Sequence, residues 1–226
     1  MTRLVVFDVD GTLVDSQHVI VAAMAEAFDG TGHALPERAR LLSVVGLSLN
    51  EAMAALAPHL PEAETLRLAD RYRDSFVARR AAGAEAAQAP LYPGALDALH
   101  RLDAAPGTLL GVATGKARGG LDHLFACFPI GHLFATTQTA DGHPSKPHPS
   151  MLHAALAETG ADARRSVMVG DTEFDVLMGR AAGMATVGVA WGYHPPERLV
   201  AAGADVVIRD FAELDAALAG LGLLAA

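Results

Sequence analysis

Six short apolar, β-branched runs, each followed by a helical pattern, constrain the fold of this chain more than any other feature. They lie at residues 4–9, 108–113, 133–137, 166–169, 185–190 and 205–208. None shows strict polar alternation, which is the mark of strands buried on both faces. Helical spacing separates them. Met151, Leu152, Ala155 and Leu156 share one face in 149–159, and Phe174, Leu177 and Met178 share one in 173–182. This alternation predicts an α/β fold built on a doubly wound parallel sheet. Between the first and second runs the alternation stops. Almost wholly helical sequence intervenes up to Tyr92, punctuated by Pro36, Pro58, Pro61, Pro90 and Pro93. In 62–81, Leu66, Ala69, Tyr72 and Phe76 recur three to four apart, as a helix with one buried face requires. Residues 81–90 are small and alanine-rich and read as a linker. The expected organisation is a core of 1–14 and 89–226, with 15–88 as an α-helical domain inserted after the first strand. The apolar tail, 216–226, reads as a terminal helix.

Composition removes several functions. With 226 residues and 51% hydrophobic content, the chain can bury a large core without covalent staples. Its net charge of −9 argues against binding the phosphate backbone of nucleic acid. A single cysteine, Cys127, excludes an internal disulfide framework and any multi-cysteine metal site. The first apolar run meets an aspartate after four residues, unlike a signal peptide. No apolar stretch is long enough to span a membrane. The expectation is a cytoplasmic protein, monomer or homodimer, with neither nucleic acid nor membrane as partner.

Ligands of open α/β sheets bind beyond the carboxyl ends of the strands. The first run ends in Asp8-Val9-Asp10-Gly11-Thr12 and the second in Thr114-Gly115-Lys116. Ser145-Lys146-Pro147 follows the third, and Gly170-Asp171-Thr172-Glu173-Phe174-Asp175 ends the fourth. Singly, each has an ordinary reading: a turn or capping aspartate, a loop hydroxyl, a solvated cation. Together, in order, they deliver two carboxylate pairs, a hydroxyl and an ammonium to one edge. Gathered carboxylates repel one another, and Mg²⁺, which prefers a few carboxylates plus substrate oxygens, removes that conflict. Asp8 and Asp171 are the expected ligands. A phosphate would then meet the metal, Lys146, the Thr114 hydroxyl and the backbone of the turn that ends in Gly11. One aspartate can attack as a nucleophile while its neighbour transfers the proton.

The segments FDVDGTLVDS, VATGK, SKPHP and VGDTEFD resemble, in order and spacing, the four motifs of the haloacid dehalogenase superfamily of hydrolases. The helical insertion is similar to the small cap of its phosphoglycolate phosphatase-like and phosphoglucomutase-like branch. The resemblance implies a Rossmann-like core and an aspartyl-phosphate formed on Asp8. It implies Asp10 as general acid/base, with its carbonyl on Mg²⁺ beside Asp8 and Asp171. Thr114, Gly115, Lys146 and Gly11 would hold the phosphoryl group. Thr12 would support the turn and Asp175 would orient Lys146 or water. Thr172 would either join them or simply cap the following helix.

Within that superfamily, Asp10 argues against dehalogenation, and the absence of lysine in 15–88 excludes a Schiff-base phosphonatase. The leading expectation is a phosphatase acting on a small phosphorylated metabolite, phosphoglycolate or a sugar phosphate. The alternatives are a phosphosugar mutase and a pyrophosphatase. A phosphoacceptor signalling domain would be shorter and would lack the insertion. Residues 43–50 are the candidate substrate contacts, although the run 44–49 reads first as helix, turn and core. Arg38, Arg40, Arg67, Arg71 and Arg73 could meet a substrate carboxylate, but they read first as a solvated helix face. His143 and His148 read as loop polar groups, His18 as a surface residue and Cys127 as a small packing residue.

Overall fold

The computed structural model describes residues 2–81 and 89–224. Six strands form one parallel sheet: β1 (Arg3–Phe7), β2 (Thr108–Thr114), β3 (Phe134–Thr139), β4 (Ser166–Gly170), β5 (Ala185–Val189) and β6 (Val206–Ile208). Their order is β3-β2-β1-β4-β5-β6. The chain winds outward from β1 to one side and then, starting at β4, to the other. β1 pairs with β2 through Arg3↔Thr108 to Phe7↔Val112, and with β4 through Leu4↔Ser166 to Phe7↔Val169. The order therefore reverses at β1, the position where ligands of such sheets bind.

Both faces of the sheet are covered, which is why its strands do not alternate. Val5, Phe7, Val112, Val167 and Val169 belong to one apolar cluster. Leu4, Val6, Ala113 and Met168 meet α7 (Ser150–Thr159) and α8 (Glu173–Ala181) through Met151, Leu152, Ala155 and Met178. Three further helices follow strands or loops of the core: α5 (Ala95–Asp103), α6 (Arg118–Cys127) and α9 (Pro196–Ala202).

Four helices occupy the long crossover from β1 to β2: α1 (Gln17–Phe28), α2 (Arg38–Leu42), α3 (Leu49–Leu56) and α4 (Glu62–Ala81). α4 packs against both α1 and α3. Its buried face differs from the expected stripe. Leu68 and Ala69 are buried with Phe76, whereas Leu66 is 41% exposed. Thr65 and Ser75 share the buried face, so the helix is rotated away from Leu66 by polar residues that a hydrophobic count ignores. The way in and out of the crossover is tied by an antiparallel bridge between Val14 and Leu91. The Asp15 N–H donates to the Pro90 carbonyl and the Tyr92 N–H to the Leu13 carbonyl, both at 2.9 Å. Most of the expected linker, 82–88, lies outside the described residues. The C-terminal helix, α10 (Leu214–Gly220), starts earlier than the apolar tail and stops sooner. Gly222 takes a left-handed φ of 72°, and the Leu223 N–H turns back to the Leu218 carbonyl.

Candidate active site

β1 ends at Phe7, two residues before the apolar run does, and the Asp8 N–H makes the last link to β4, to the Val169 carbonyl at 2.9 Å. Beyond it the chain makes a tight turn in which the Val9 carbonyl accepts the N–H groups of Thr12, Leu13 and Val14. Gly11 is required twice over. Its φ is 88°, a left-handed conformation, and a Cβ there would overlap the Asp171 carboxylate. The turn thus seats against the end of β4, where Thr12 Oγ1 donates to Asp171 Oδ1 at 2.9 Å.

Asp171 is buried and boxed in. The Tyr193 N–H donates to its Oδ2 at 2.8 Å, and a Cβ on Gly192 would also overlap it. Asp175 sits in the first turn of α8, where it and Thr172 form a reciprocal capping box. Asp175 Oδ2 accepts from the Thr172 N–H at 3.0 Å and from its hydroxyl at 2.7 Å. Its other oxygen accepts from Lys146 Nζ at 2.7 Å. Lys146 is 1% exposed as a residue, and its ammonium also lies 2.9 Å from Asp8 Oδ1. That Asp8 oxygen is buried and accepts no well-directed hydrogen bond.

Carboxylate oxygens of Asp8, Asp171 and Asp175 lie within 4.8 Å of one another. Three carboxylates and one ammonium give −3 + 1 = −2 in a space closed to water. Burial, with Asp175 adding to it against the pull of Lys146, pushes the Asp8 carboxyl up to about 7. Burial, then Asp8 and Asp175, pushes Asp171 well above the usual carboxylate range. Burial alone would lower Lys146, but Asp175 and Asp8 more than offset it and hold the ammonium above the ordinary lysine value. The cluster fits a hard divalent cation by its donor set, three buried carboxylates close together, and by its uncompensated charge.

A pH dependence follows. In metal-free protein Asp8 rises from 3.8 to about 7 on folding. The folded state therefore holds a proton that the unfolded chain has released. The stabilisation from that proton is complete below about pH 4 and lost as pH rises through about 7. A divalent cation such as Mg²⁺ bound there would take the place of the proton, so its stabilising effect is expected to grow from pH 5 to pH 7.5. At a hundredfold excess over Kd it is worth about 2.7 kcal/mol, or roughly 5–10 °C in Tm for a chain of this size. Thermal unfolding with and without Mg²⁺ across that range checks this, and a Tm gain independent of pH would count against the metal site.

The end of β2 supplies the facing wall. Thr114 is buried, and its hydroxyl accepts the Lys116 N–H at 3.2 Å. Lys116 Nζ lies 3.0 Å from Asp10 Oδ1 and 5.3 Å from the centre of the Phe76 ring, on α4. Ser16 donates to the same Asp10 oxygen at 2.6 Å and lies 3.0 Å from the Tyr193 hydroxyl. Asp8 and Asp10 thus line one cleft but have different partners.

The helical insertion closes over this edge. A Cβ on Gly115 would stand 2.6 Å from the Gly46 carbonyl oxygen and 2.8 Å from that of Leu47. The Ser48 N–H donates to Ser145 Oγ at 2.7 Å, and His194 bridges the Glu173 N–H to the Ser43 carbonyl. Gly115→Ala is expected to push residues 46–47 away and to lower kcat/KM by about 10–100-fold through lost positioning. Its unfolding free energy should change by no more than about 1–3 kcal/mol. Steady-state kinetics together with urea unfolding measures both.

Of the candidate stretch 43–50, residues 44–50 line the cleft and Ser43 does not. The five arginines are engaged within the insertion: Arg38 with Gln17, Arg40 with the Ala55 carbonyl, Arg67 with Glu64, Arg71 with the Ala27 carbonyl and Arg73 with Asp70 and Asn50. His143 spans Ser150 and Gln138, and His18 and His148 are exposed. Cys127 is half-buried, 3.6 Å from His123. Sequence reasoning missed Ser16, Gly192, Tyr193 and His194. The last three follow β5, and the strand-end rule applied to that strand would have found them.

Residues 5–189 match the haloacid dehalogenase-like hydrolase family. The chain belongs to that family. It is 35% identical to a probable phosphatase, IndB, of Dickeya dadantii, over 95% of this chain and 92% of that protein. It is 32% identical to a phosphoglycolate phosphatase of Agrobacterium fabrum, over 96% and 93%. A pyrophosphatase, PpaX, of Bacillus pumilus is 29% identical over 93% of each. Among solved structures, a hydrolase from Pseudomonas syringae superposes with a TM-score of 0.83 at 25% identity, covering 97% of this chain and 99% of that one.

Proposed function

We propose that this member of the family is a Mg²⁺-dependent phosphatase that hydrolyses a small phosphomonoester through an aspartyl-phosphate on Asp8. The observation that carries the reading is Lys146, fully buried between Asp8 and Asp175 with Asp171 alongside. A lysine buried at the sheet edge keeps an ammonium, already desolvated and fixed in place by its partners, where a phosphoryl oxygen would meet it. Phosphatases among the relatives support the same reading.

In this reading Asp8, Asp171 and the Asp10 carbonyl hold Mg²⁺, which when bound neutralises charge on the phosphoryl oxygens. Thr114, Gly115, Gly11 and Lys146 hold the phosphoryl group. An Asp8 oxygen attacks phosphorus, the bond to the leaving oxygen breaks, and Asp10 gives that oxygen a proton. Asp10, now a carboxylate, takes a proton from water as the water oxygen attacks phosphorus. Asp8 is freed and inorganic phosphate leaves. Ser16 and Lys116 both engage Asp10 Oδ1, which leaves Oδ2 as the oxygen that would meet the leaving group and the water. Asp175 and Thr12 position Lys146 and Asp171 respectively, and Thr172 acts through its capping of α8. Residues 15–88 serve as the cap that excludes water.

The test is phosphate release from p-nitrophenyl phosphate. It is expected to depend on Mg²⁺ and to stop when EDTA is added. Metal-independent release would overturn the mechanism. Isomerisation of a sugar phosphate without net phosphate release would favour a mutase.

A further inference from the structure

We infer that the leaving group of the substrate is apolar, so that the cleft takes the phosphomonoester of a compact alkyl or aryl alcohol. This rests on the phosphatase reading and narrows it. The cleft between insertion and core has a volume of about 610 Å³, within the range that holds a small organic ligand. Its two ends differ in chemistry. Asp8, Asp10, Thr114 and Ser145 mark the core end. Facing them are Ile20 and Met24 from α1, Val45 and Leu47 from the loop before α3, and Tyr72 and Phe76 from α4.

A leaving group with its own negative charge needs a cation at that far end. Among the described residues lining the cleft, the cations are Lys116 and Arg73. Lys116 is paired with Asp10 at 3.0 Å and lies over Phe76, so a substrate carboxylate would have to draw it from Asp10. Arg73 is bound to Asp70 and Asn50. The remaining charged groups on the lining of the insertion and its rim, Glu51 and Asp141, are acidic and exposed. Glycolate or a second phosphate would therefore have to compete with Asp10 for Lys116, or with Asp70 and Asn50 for Arg73, beside the acidic Glu51 and Asp141. The polar side chains of the lining include Ser48, Asn50 and His143, but Asn50 is engaged by Arg73 and His143 by Ser150 and Gln138. A polyhydroxyl leaving group would thus place most of its hydroxyls against hydrocarbon, and each one left without a partner costs binding energy. An alkyl or aryl group gains from the same surface.

The test is a series of n-alkyl phosphates from methyl to hexyl, whose leaving groups differ little in reactivity, assayed with Mg²⁺ beside phosphoglycolate and glucose 6-phosphate. Values of kcat/KM are expected to rise by about fourfold per methylene, the factor for burying one CH₂. Both polar esters should fall below butyl phosphate. Binding of the same series to Asp8→Asn is measured by calorimetry, with Kd tightening in step and the heat-capacity change growing more negative. A flat series, or phosphoglycolate or glucose 6-phosphate ranking above hexyl phosphate, would overturn the inference and leave the phosphatase reading standing. Binding that tightens with chain length, without Mg²⁺-dependent turnover of any ester, would uphold the apolar site and overturn the phosphatase reading.

Discussion

Asp8→Asn is expected to lower kcat by at least about 10⁴-fold, the scale on which removal of a covalent nucleophile is felt, and to leave the fold intact. Asparagine has the shape of aspartate, but its amide does not attack phosphorus. The structural cost is small because the Asp8 charge is itself a burden in the metal-free protein. Burial pushes its carboxyl up to about 7. Lys146 keeps its second partner, Asp175, at 2.7 Å. The variant without metal should therefore be at least as stable as the parent at pH 7.5 and should gain less from added Mg²⁺. Phosphate-release kinetics and thermal unfolding on one preparation separate the two effects. Residual turnover within about a hundredfold of the parent would remove Asp8 from the nucleophile's role.

The parts of this architecture that were legible in the sequence were those written in local pattern. Strands buried on both faces carry unbroken apolar runs, so all six were found with their ends misplaced by one or two residues. β1 stops short of its run because a turn claims the backbone at Val9, whose carbonyl accepts three N–H groups, whereas β2, β3 and β4 run on through polar or glycine residues that an apolar count leaves out. Asp8, Thr114, Lys146 and Asp171 were legible because each follows its own strand. Lys116 was not. Its role depends on Asp10 from β1 and Phe76 from the insertion meeting at one point, and no spacing along the chain encodes that. Gly192 was equally silent. A glycine after a strand reads as a turn, whereas here it makes room for Asp171. The face of α4 was misjudged at Leu66 for a related reason. Thr65 and Ser75 are buried there, with Thr65 bonded to the Glu62 carbonyl and Ser75 to Glu26. A polar side chain with a partner packs as well as an apolar one.

Lys146→Met is expected to destabilise the metal-free protein by about 3–5 kcal/mol at pH 7.5, the cost of leaving a buried charge without its partner. Methionine fills much of the space of the lysine stem, so lost packing accounts for little of this. What changes is the charge of the cluster, from −2 to −3, with Asp8, Asp171 and Asp175 still within 4.8 Å. Asp8 and Asp171 are already raised in the presence of the ammonium, and its loss raises them further. The folded variant therefore takes up protons more readily than the parent. Its deficit should shrink already as pH falls from 7.5 to 5, whereas the deficit from losing an ordinary exposed salt bridge shrinks only near pH 4, where unperturbed carboxylates protonate. Asp175→Asn in the same chain removes one of the stranded charges and should recover part of the stability while leaving turnover absent, because the phosphoryl group still has no ammonium to meet. Urea unfolding at pH 5 and 7.5 for the parent, the single variant and the double variant supplies the comparison. A single variant as stable as the parent at pH 7.5 would mean that Lys146 does not offset the charge of this cluster, and the argument for a divalent cation from uncompensated charge would fall with it.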